Sequence, residues 1–281
     1  GVSTRRVEKV MQTMGIENIS STQVSRANKA MDEGLEAWRN RPLGKVAYLI
    51  IDARYEKVRE GHQGIDMAVL SAIGVLPCGR RCVLGTAIAL NEAEVNWREF
   101  FKSLVDRGLH GIEFIVSDDH SGLKAARKAV FPSIPWQRCQ FHLAQKAIHH
   151  APNHAIKKCI GSELRSVCNA PNRATAEANL KTLVGQYQEK HPHLADWLEN
   201  NVPEGLNALA LPDRHQKKMR TSNSIERTVQ QELKRRTRLV RVFPNREALL
   251  RLVSAILVEI DDEWVNANHR YIVWNDNDST C

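Results

Sequence analysis

The sequence predicts an α/β fold built on a mixed sheet. Apolar, partly β-branched runs of strand length recur through its first half, and the later ones alternate with segments of helical spacing. After Phe141 the strand pattern stops, which predicts that the remainder is helical.

Taken in order, residues 1 to about 40 read as short helices. One starts at Ser3-Thr4-Arg5-Arg6 and another at Ser20-Ser21-Thr22-Gln23, and two readings are open: a helix-turn-helix, or a plain helical pair packed on the core. From Lys45 the pattern changes. Val46-Ala47-Tyr48-Leu49-Ile50-Ile51 suits a strand buried on both faces, and it is expected to end on Asp52. Met67 to Leu76 and Cys82 to Leu90 read as a second and third strand, joined through the turn residues Pro77-Cys78-Gly79-Arg80. Helical spacing of Trp97, Phe100, Phe101, Leu104 and Val105 follows and stops before Gly108. Gly111 to Val116 is a fourth strand leading to Ser117-Asp118-Asp119-His120, then come a helix over 122–130 and a short strand near Trp136 to Gln140. The order β-β-β-α-β-α-β-α is what a ribonuclease H-like fold requires, though other α/β arrangements also permit it. Residues 143 to about 202 read as helical throughout, followed by a polar loop with Pro203, Gly205 and Pro212, a basic helix from about Ser222, and an apolar helix from Arg246 to Trp264.

Length and composition set bounds on this reading. With 281 residues and 42% apolar content, the chain can bury a substantial core, and no window approaches the roughly 18 apolar residues of a membrane span. It reads as a soluble protein with no membrane partner. The formal charge is +8, and residues 214–251 hold twelve Lys/Arg against three Glu, a surplus that accounts for all of it. Such a cluster suits a polyanion. Six cysteines without scaffold spacing, and no signal peptide, fit a reducing cytoplasm. The chain opens at Gly1-Val2-Ser3-Thr4 inside a helical pattern, so an upstream segment is expected.

The chemistry-bearing pattern is carboxylates at strand ends. Asp52 follows the first strand and Asp118 the fourth, in the crevice where open α/β sheets keep their sites. A lone buried carboxylate is costly unless it meets a cation or metal. Mg²⁺ prefers hard oxygen ligands, and two ions about 4 Å apart stabilise both the attacking and leaving oxygens of a phosphodiester. Glu226, in Thr221-Ser222-Asn223-Ser224-Ile225-Glu226-Arg227, is the candidate third acid. Each acid also has a plain structural reading: Asp118 as a helix cap, and Asn223 with Glu226 as a capping box. The three together, in this order on one fold, favour catalysis.

At these residues the chain resembles the Mutator-like transposases, which include many bacterial insertion-sequence enzymes. The matching stretches are Tyr48 to Arg59, Ser117-Asp118-Asp119-His120-Ser121-Gly122-Leu123, Arg138-Cys139-Gln140-Phe141-His142 and Thr221 to Arg227, extended by Lys234 to Arg238 and Phe243-Pro244-Asn245. The resemblance runs from roughly Ser3 to Tyr271. It implies a DDE transposase with Asp52, Asp118 and Glu226 as the metal-binding triad for two Mg²⁺ (or Mn²⁺) ions. An all-α insertion between the second Asp and the Glu is also implied. The expected boundaries are 1–44 for the N-terminal helical segment, 45–142 for the first part of the core, 143–212 for the insertion, 213–272 for the last part of the core, and 273–281 for a tail.

The family often has a small residue where this chain has Asp119, so the ligand assignment could shift by one. Asp118 is kept because it directly follows the strand. Cys139 and His142 match the family's Cys-x-x-His motif. Zinc, with Cys78 and Cys82 as further ligands, is one reading. The favoured one packs Cys139 in the core and leaves His142 near the active centre, with His120 as a further auxiliary residue. Arg227, Lys234, Arg235, Arg236 and Arg238 are expected along DNA phosphates, although Gln230-Gln231 is less basic than is usual after the Glu. Trp197 is by default core packing and alternatively a platform for a displaced base. The expected reaction frees a 3′-hydroxyl at an element end and uses it to attack a second phosphodiester, without a covalent protein intermediate. Double-stranded DNA, a homodimer of synapsed ends and a bacterial, nucleoid-associated location are implied. Two rivals remain open from sequence: a ribonuclease H-like nuclease without strand transfer, and a non-enzymatic DNA-binding derivative.

Overall fold

A computed structural model describes residues 20–222, 226–267 and 269–274, except the side chains of Ser21, Glu226 and Arg227. The first expected helix, from Ser3, therefore lies outside the described residues. Helix α1 (Ser21–Arg39) opens with a reciprocal cap in which Ser20 accepts from the Gln23 N–H and the Gln23 side chain accepts from the Ser20 N–H. It packs on the C-terminal helix α10 (Arg246–Val265). Asp32 is paired with Arg251, and the Trp38 indole donates to the buried Asp261, which also receives Arg41 and the Val83 N–H. Those partners are what make a buried carboxylate tolerable there.

Strand β1 (Tyr48–Glu60) pairs antiparallel with β2 (Gln63–Val75), and β2 with β3 (Arg81–Ala89). The expectation that the first strand ends on Asp52 is thus corrected: it continues for eight more residues to a two-residue turn. Gly61 takes φ +61° in that turn, a conformation glycine adopts without steric cost. The continuation was hidden because Ala53 to Glu60 holds five charged residues and no apolar run, which reads as surface. The Pro77–Arg80 turn between β2 and β3 stands where the sequence placed it.

Helix α2 (Glu94–Asp106) ends before Gly108, at φ +92°. Then come β4 (Phe114–Ser117), α3 (Ser121–Val130) and β5 (Trp136–Arg138). The sheet order is β3-β2-β1-β4-β5, with β1, β4 and β5 parallel. An antiparallel β1–β2–β3 meander continued by two parallel strands is the ribonuclease H-like arrangement.

Side-chain parity along β1 divides the core. Tyr48 and Ile50 face α10, with Leu249, Val253 and Leu257, whereas Leu49 and Ile51 face Trp97, Phe101 and Leu104 of α2. A third apolar cluster belongs to helices α4 (Gln140–His150), α5 (His154–Cys168), α6 (Arg173–Gln188) and α7 (Pro192–Asn201), joined through Ile160, Leu164, Leu183, Leu194 and Leu198. Two short 3₁₀ turns, Val202–Gly205 and Asn207–Ala210, and helix α8 (Asp213–Met219) lead back to the sheet. A π-helical turn (Glu226–Gln230) then runs into α9 (Gln231–Val240).

Candidate active site

The parallel ladder of β1 and β4 places the first two acids side by side. Its last pair is Ile50 with Val116, and Asp52 and Asp118 each lie two residues beyond it on neighbouring strands. Neighbouring strands run about 4.8 Å apart, so equal offsets bring the two carboxylates to one level of the sheet. Asp52 is 7% exposed, and its Oδ2 accepts a 3.0 Å hydrogen bond from Gln230 Nε2. Asp118 is the more open of the two, with Oδ1 3.7 Å from His142 Nδ1 and accepting from the Asp119 N–H at 2.6 Å.

Glu226 begins the π-helical turn that ends at Gln230. Its backbone is thus one turn ahead of the residue hydrogen-bonded to Asp52, while its side chain lies outside the described residues. Insertions of this π type recur at functional sites. The continuation of β1 past Asp52 is the dock for this segment. Arg54 Nη1 donates to the Gln230 carbonyl at 2.9 Å, and Thr237 Oγ1 donates to Glu56 Oε1 at 2.9 Å. Residues 52, 54 and 56 share one face by strand alternation, so a single strand edge holds both the first acid and the helix of the third.

Asp119 is engaged elsewhere. Its carboxylate is paired with Lys124 at 3.0 Å, the buried Arg138 at 2.8 Å and Lys146 at 3.5 Å, and Arg138 and Lys124 reach on to Glu204. Burial alone would raise the Asp119 carboxyl, but the Lys124 hydrogen bond and the three cationic charges outweigh it and hold it below the usual carboxylate range.

Cys139 is fully buried and joins two segments. Its N–H donates to the Ser117 carbonyl at 2.8 Å, and its sulfur receives the Ser222 N–H and hydroxyl at 3.4 and 3.2 Å. Cys82 lies apart from it, beside Asp261, with its thiol donating to the Gly74 carbonyl, so the four-ligand zinc set does not assemble. Among the described residues no three His, Cys, Asp or Glu side chains form a group that could hold a metal ion.

His120 Nδ1 is 4.0 Å from Glu92 Oε2. Sequence reasoning missed Glu92, which stands two residues past the expected third strand, because an acid in a short strand-to-helix loop is also ordinary turn and helix-start chemistry. Its carboxyl is raised by burial, lowered by His120 and raised again by the Asp118 charge, with a net upward shift. Gln230 was missed as well, since an amide beside a basic run carries no signal of an acid partner.

The basic helix divides into two groups. Lys234 and Arg238 are exposed, whereas Arg235 bonds Glu232, and Arg236 bonds both Glu232 and Glu259. Hydrogen bonds from Arg235 and then Arg236 hold the partly exposed Glu232 down at about 2. The Trp197 ring has His150 stacked on it at 4.9 Å and the Arg138 guanidinium 5.8 Å from its centroid.

The family model described as Transposase, Mutator family, matches residues 1–267. The transposase for insertion sequence element IS406 of Burkholderia multivorans is 51% identical, over 94% of this chain and 69% of that protein. The transposase for ISRM5 of Rhizobium meliloti is 40% identical, over 98% of this chain and 69% of its own length. The transposase for IS1081 of Mycobacterium tuberculosis is 35% identical, over 97% and 65%. Among solved structures, the HTLV-2 integrase catalytic core domain covers 66% of this chain and 99% of its own at 12% identity and a TM-score of 0.22, a likeness too slight to bear on the fold. The chain belongs to the Mutator family of transposases, enzymes that cut DNA and transfer its strands.

Proposed function

We propose that Asp52, Asp118 and Glu226 form the catalytic triad, acting on double-stranded DNA at insertion-element ends and then on target DNA. The observation that carries this reading is the equal offset of Asp52 and Asp118 beyond the Ile50–Val116 pair, with the Glu226 turn tied to Asp52 through Gln230. Their chemistry fits Mg²⁺ or Mn²⁺, which take oxygen ligands. Gln230 Oε1 is buried and has no hydrogen-bond partner, a further oxygen beside Asp52. Asp52, Asp118 and Glu226 would hold two such ions, which supply charge stabilisation at the attacking and leaving oxygens of a phosphodiester.

The protein's own groups do the positioning. Gln230 orients the Asp52 carboxylate, and His142 stands beside Asp118, within reach of a substrate phosphate. Asp119, saturated with three cations, leaves the ligand role to Asp118. Lys234 and Arg238, with Arg227, line the DNA backbone. The chain is read as residues 143–212 inserted into a core of 45–142 and 213–272, acting as a homodimer because two element ends must be held together for joining. We place its work at the bacterial nucleoid; among the described residues no helix is long and apolar enough to cross a membrane.

Incubation with labelled element-end DNA, plasmid target and Mn²⁺ tests the proposal. Joined products are expected, and they vanish in D52N and D118N. Cleavage without joining in every condition would instead make the chain a nuclease, and joining by D118N would remove Asp118 from the triad.

A further inference from the structure

A cavity of about 220 Å³ lies between α4, α5 and the Arg220–Thr221 segment, with Phe141 in its lining. Leu143, Ala144 and Leu164 form an apolar floor. Gly161 leaves part of that floor without a side chain: a Cβ added there would meet nothing nearer than Ile148 Cδ1 at 3.9 Å. Arg165 and Arg220 stand at the rim, the latter oriented by donating to Asn169 Oδ1 at 2.5 Å.

Phe141 is the unusual member. Leu143 and Ala147 are the buried positions of α4, while Phe141 remains 41% exposed. Leaving so large an apolar ring in water forgoes the roughly 25 cal/mol per Å² that burial would return, so its place at the mouth of a cavity invites an occupant. The ring meets His142 edge-on at 5.5 Å, and His142 is 3.7 Å from Asp118. The opposite wall, Arg220–Thr221, runs directly into the segment of Glu226. The cavity therefore adjoins the candidate active site on two sides, through His142 beside Asp118 and through the segment that leads to Glu226.

We propose that this cavity receives an unstacked nucleobase from the DNA strand next to the cleaved phosphate, with its face on Phe141 and flanking phosphates on Arg165 and Arg220. An apolar slot with one open aromatic face and two guanidinium groups at its rim matches a flat π-ligand joined to anions on either side. Trp197, the aromatic the sequence offered as a base platform, already carries the stacked His150 ring. Among the described residues no ring is stacked on Phe141, whose aromatic neighbour His142 meets it edge-on. The inference rests on the reading that the site acts on DNA.

The test uses the full chain and a forked DNA duplex with unpaired thymidines, one of them replaced by photoreactive 5-iodo-deoxyuridine. Binding is followed by anisotropy and the cross-linked peptide is identified by mass spectrometry. A cross-link to the Phe141 peptide is expected. Its yield should fall about tenfold in F141L, the loss expected for one base-stacking contact, and persist in F141Y. G161L, which fills the floor with Phe141 intact, should lower it equally. Binding with cross-links that map elsewhere, or with a yield unchanged in F141L and G161L, overturns the cavity assignment alone. Absence of any DNA binding overturns the broader DNA reading instead.

Discussion

The sulfur of Cys139 accepts hydrogen bonds from both the backbone N–H and the hydroxyl of Ser222, while the Cys139 N–H holds the Ser117 carbonyl. One buried residue thus ties the end of the Asp118 strand to the segment that leads into Glu226. Replacing the thiol with an apolar group leaves two buried donors unsatisfied, each costing about 1–3 kcal/mol. Cys139→Val is expected to slow strand cleavage by about 10²-fold, the scale at which a misplacement of about 1 Å acts, with DNA affinity retained. Cys139→Ser keeps an acceptor and should retain most activity. Single-turnover cleavage beside a binding titration checks this; equal rates for Val and Ser would remove the link.

Asp118 and Asp119 are expected to separate cleanly. Asp118→Asn should reduce cleavage by about 10³-fold, the scale for loss of a preorganised electrostatic group, with little change in unfolding midpoint. Asp119→Asn deprives the buried Arg138 of its closest carboxylate, a loss expected to cost about 3 kcal/mol or more. Urea unfolding of both variants measures the contrast, and an Asp119→Asn protein as stable as the parent would contradict it.

Glu232 restrains Arg235, a cation that DNA could otherwise use, and shares Arg236 with Glu259. Glu232→Gln should free Arg235, while Arg236 keeps its Glu259 partner, tightening DNA binding at low salt and steepening the slope of log K against log salt by up to about 0.9 for the one added phosphate contact. In the parent, the Glu232 carboxyl is held at about 2 against an ordinary 4.5. A depressed carboxyl stabilises the fold above its unfolded pKa. That contribution is therefore intact above pH 4.5 and is lost as pH falls towards 2. The stability gap between the parent and Glu232→Gln, read from acid titration of helicity, should be constant above pH 4.5 and close as pH falls towards 2.

Tyr48 and His215 form a buried pair whose polarity can be read. His215 Nε2 lies 3.1 Å from the Val273 carbonyl and must donate to it, so Nδ1 accepts from the Tyr48 hydroxyl at 2.7 Å. Tyr48→Phe leaves that nitrogen without a donor and is expected to cost about 1–3 kcal/mol. Burial, followed by the Glu113 charge, pushes the Tyr48 phenol up to about 12. A raised pKa stabilises below the unfolded value, so this contribution is present below pH 10 and lost as pH rises through 12. Alkaline unfolding of Tyr48→Phe should lack that component.

Much of the fold was legible because its signals are local. The apolar runs at Val46, Met67, Cys82 and Gly111, the Pro77–Arg80 turn and the glycine stop at Gly108 each report on their own neighbourhood. Strand order and family resemblance together were enough to nominate Asp52, Asp118 and Glu226 as candidates. The second half of β1 was not legible, because its five charged residues look like surface until a helix covers one face.

By itself, then, the sequence determined the order of elements, the basic character of residues 214–251 and the family to which the chain belongs. Only the tertiary structure decided which side chains meet. Gln230 on Asp52, Ser222 on Cys139, Glu92 beside Asp118 and the three cations around Asp119 are contacts between residues far apart in the chain or in unpatterned loops. Periodicity records which face of an element is buried. The partner on that face is set by sheet register and helix docking, and these exist only once the chain has folded.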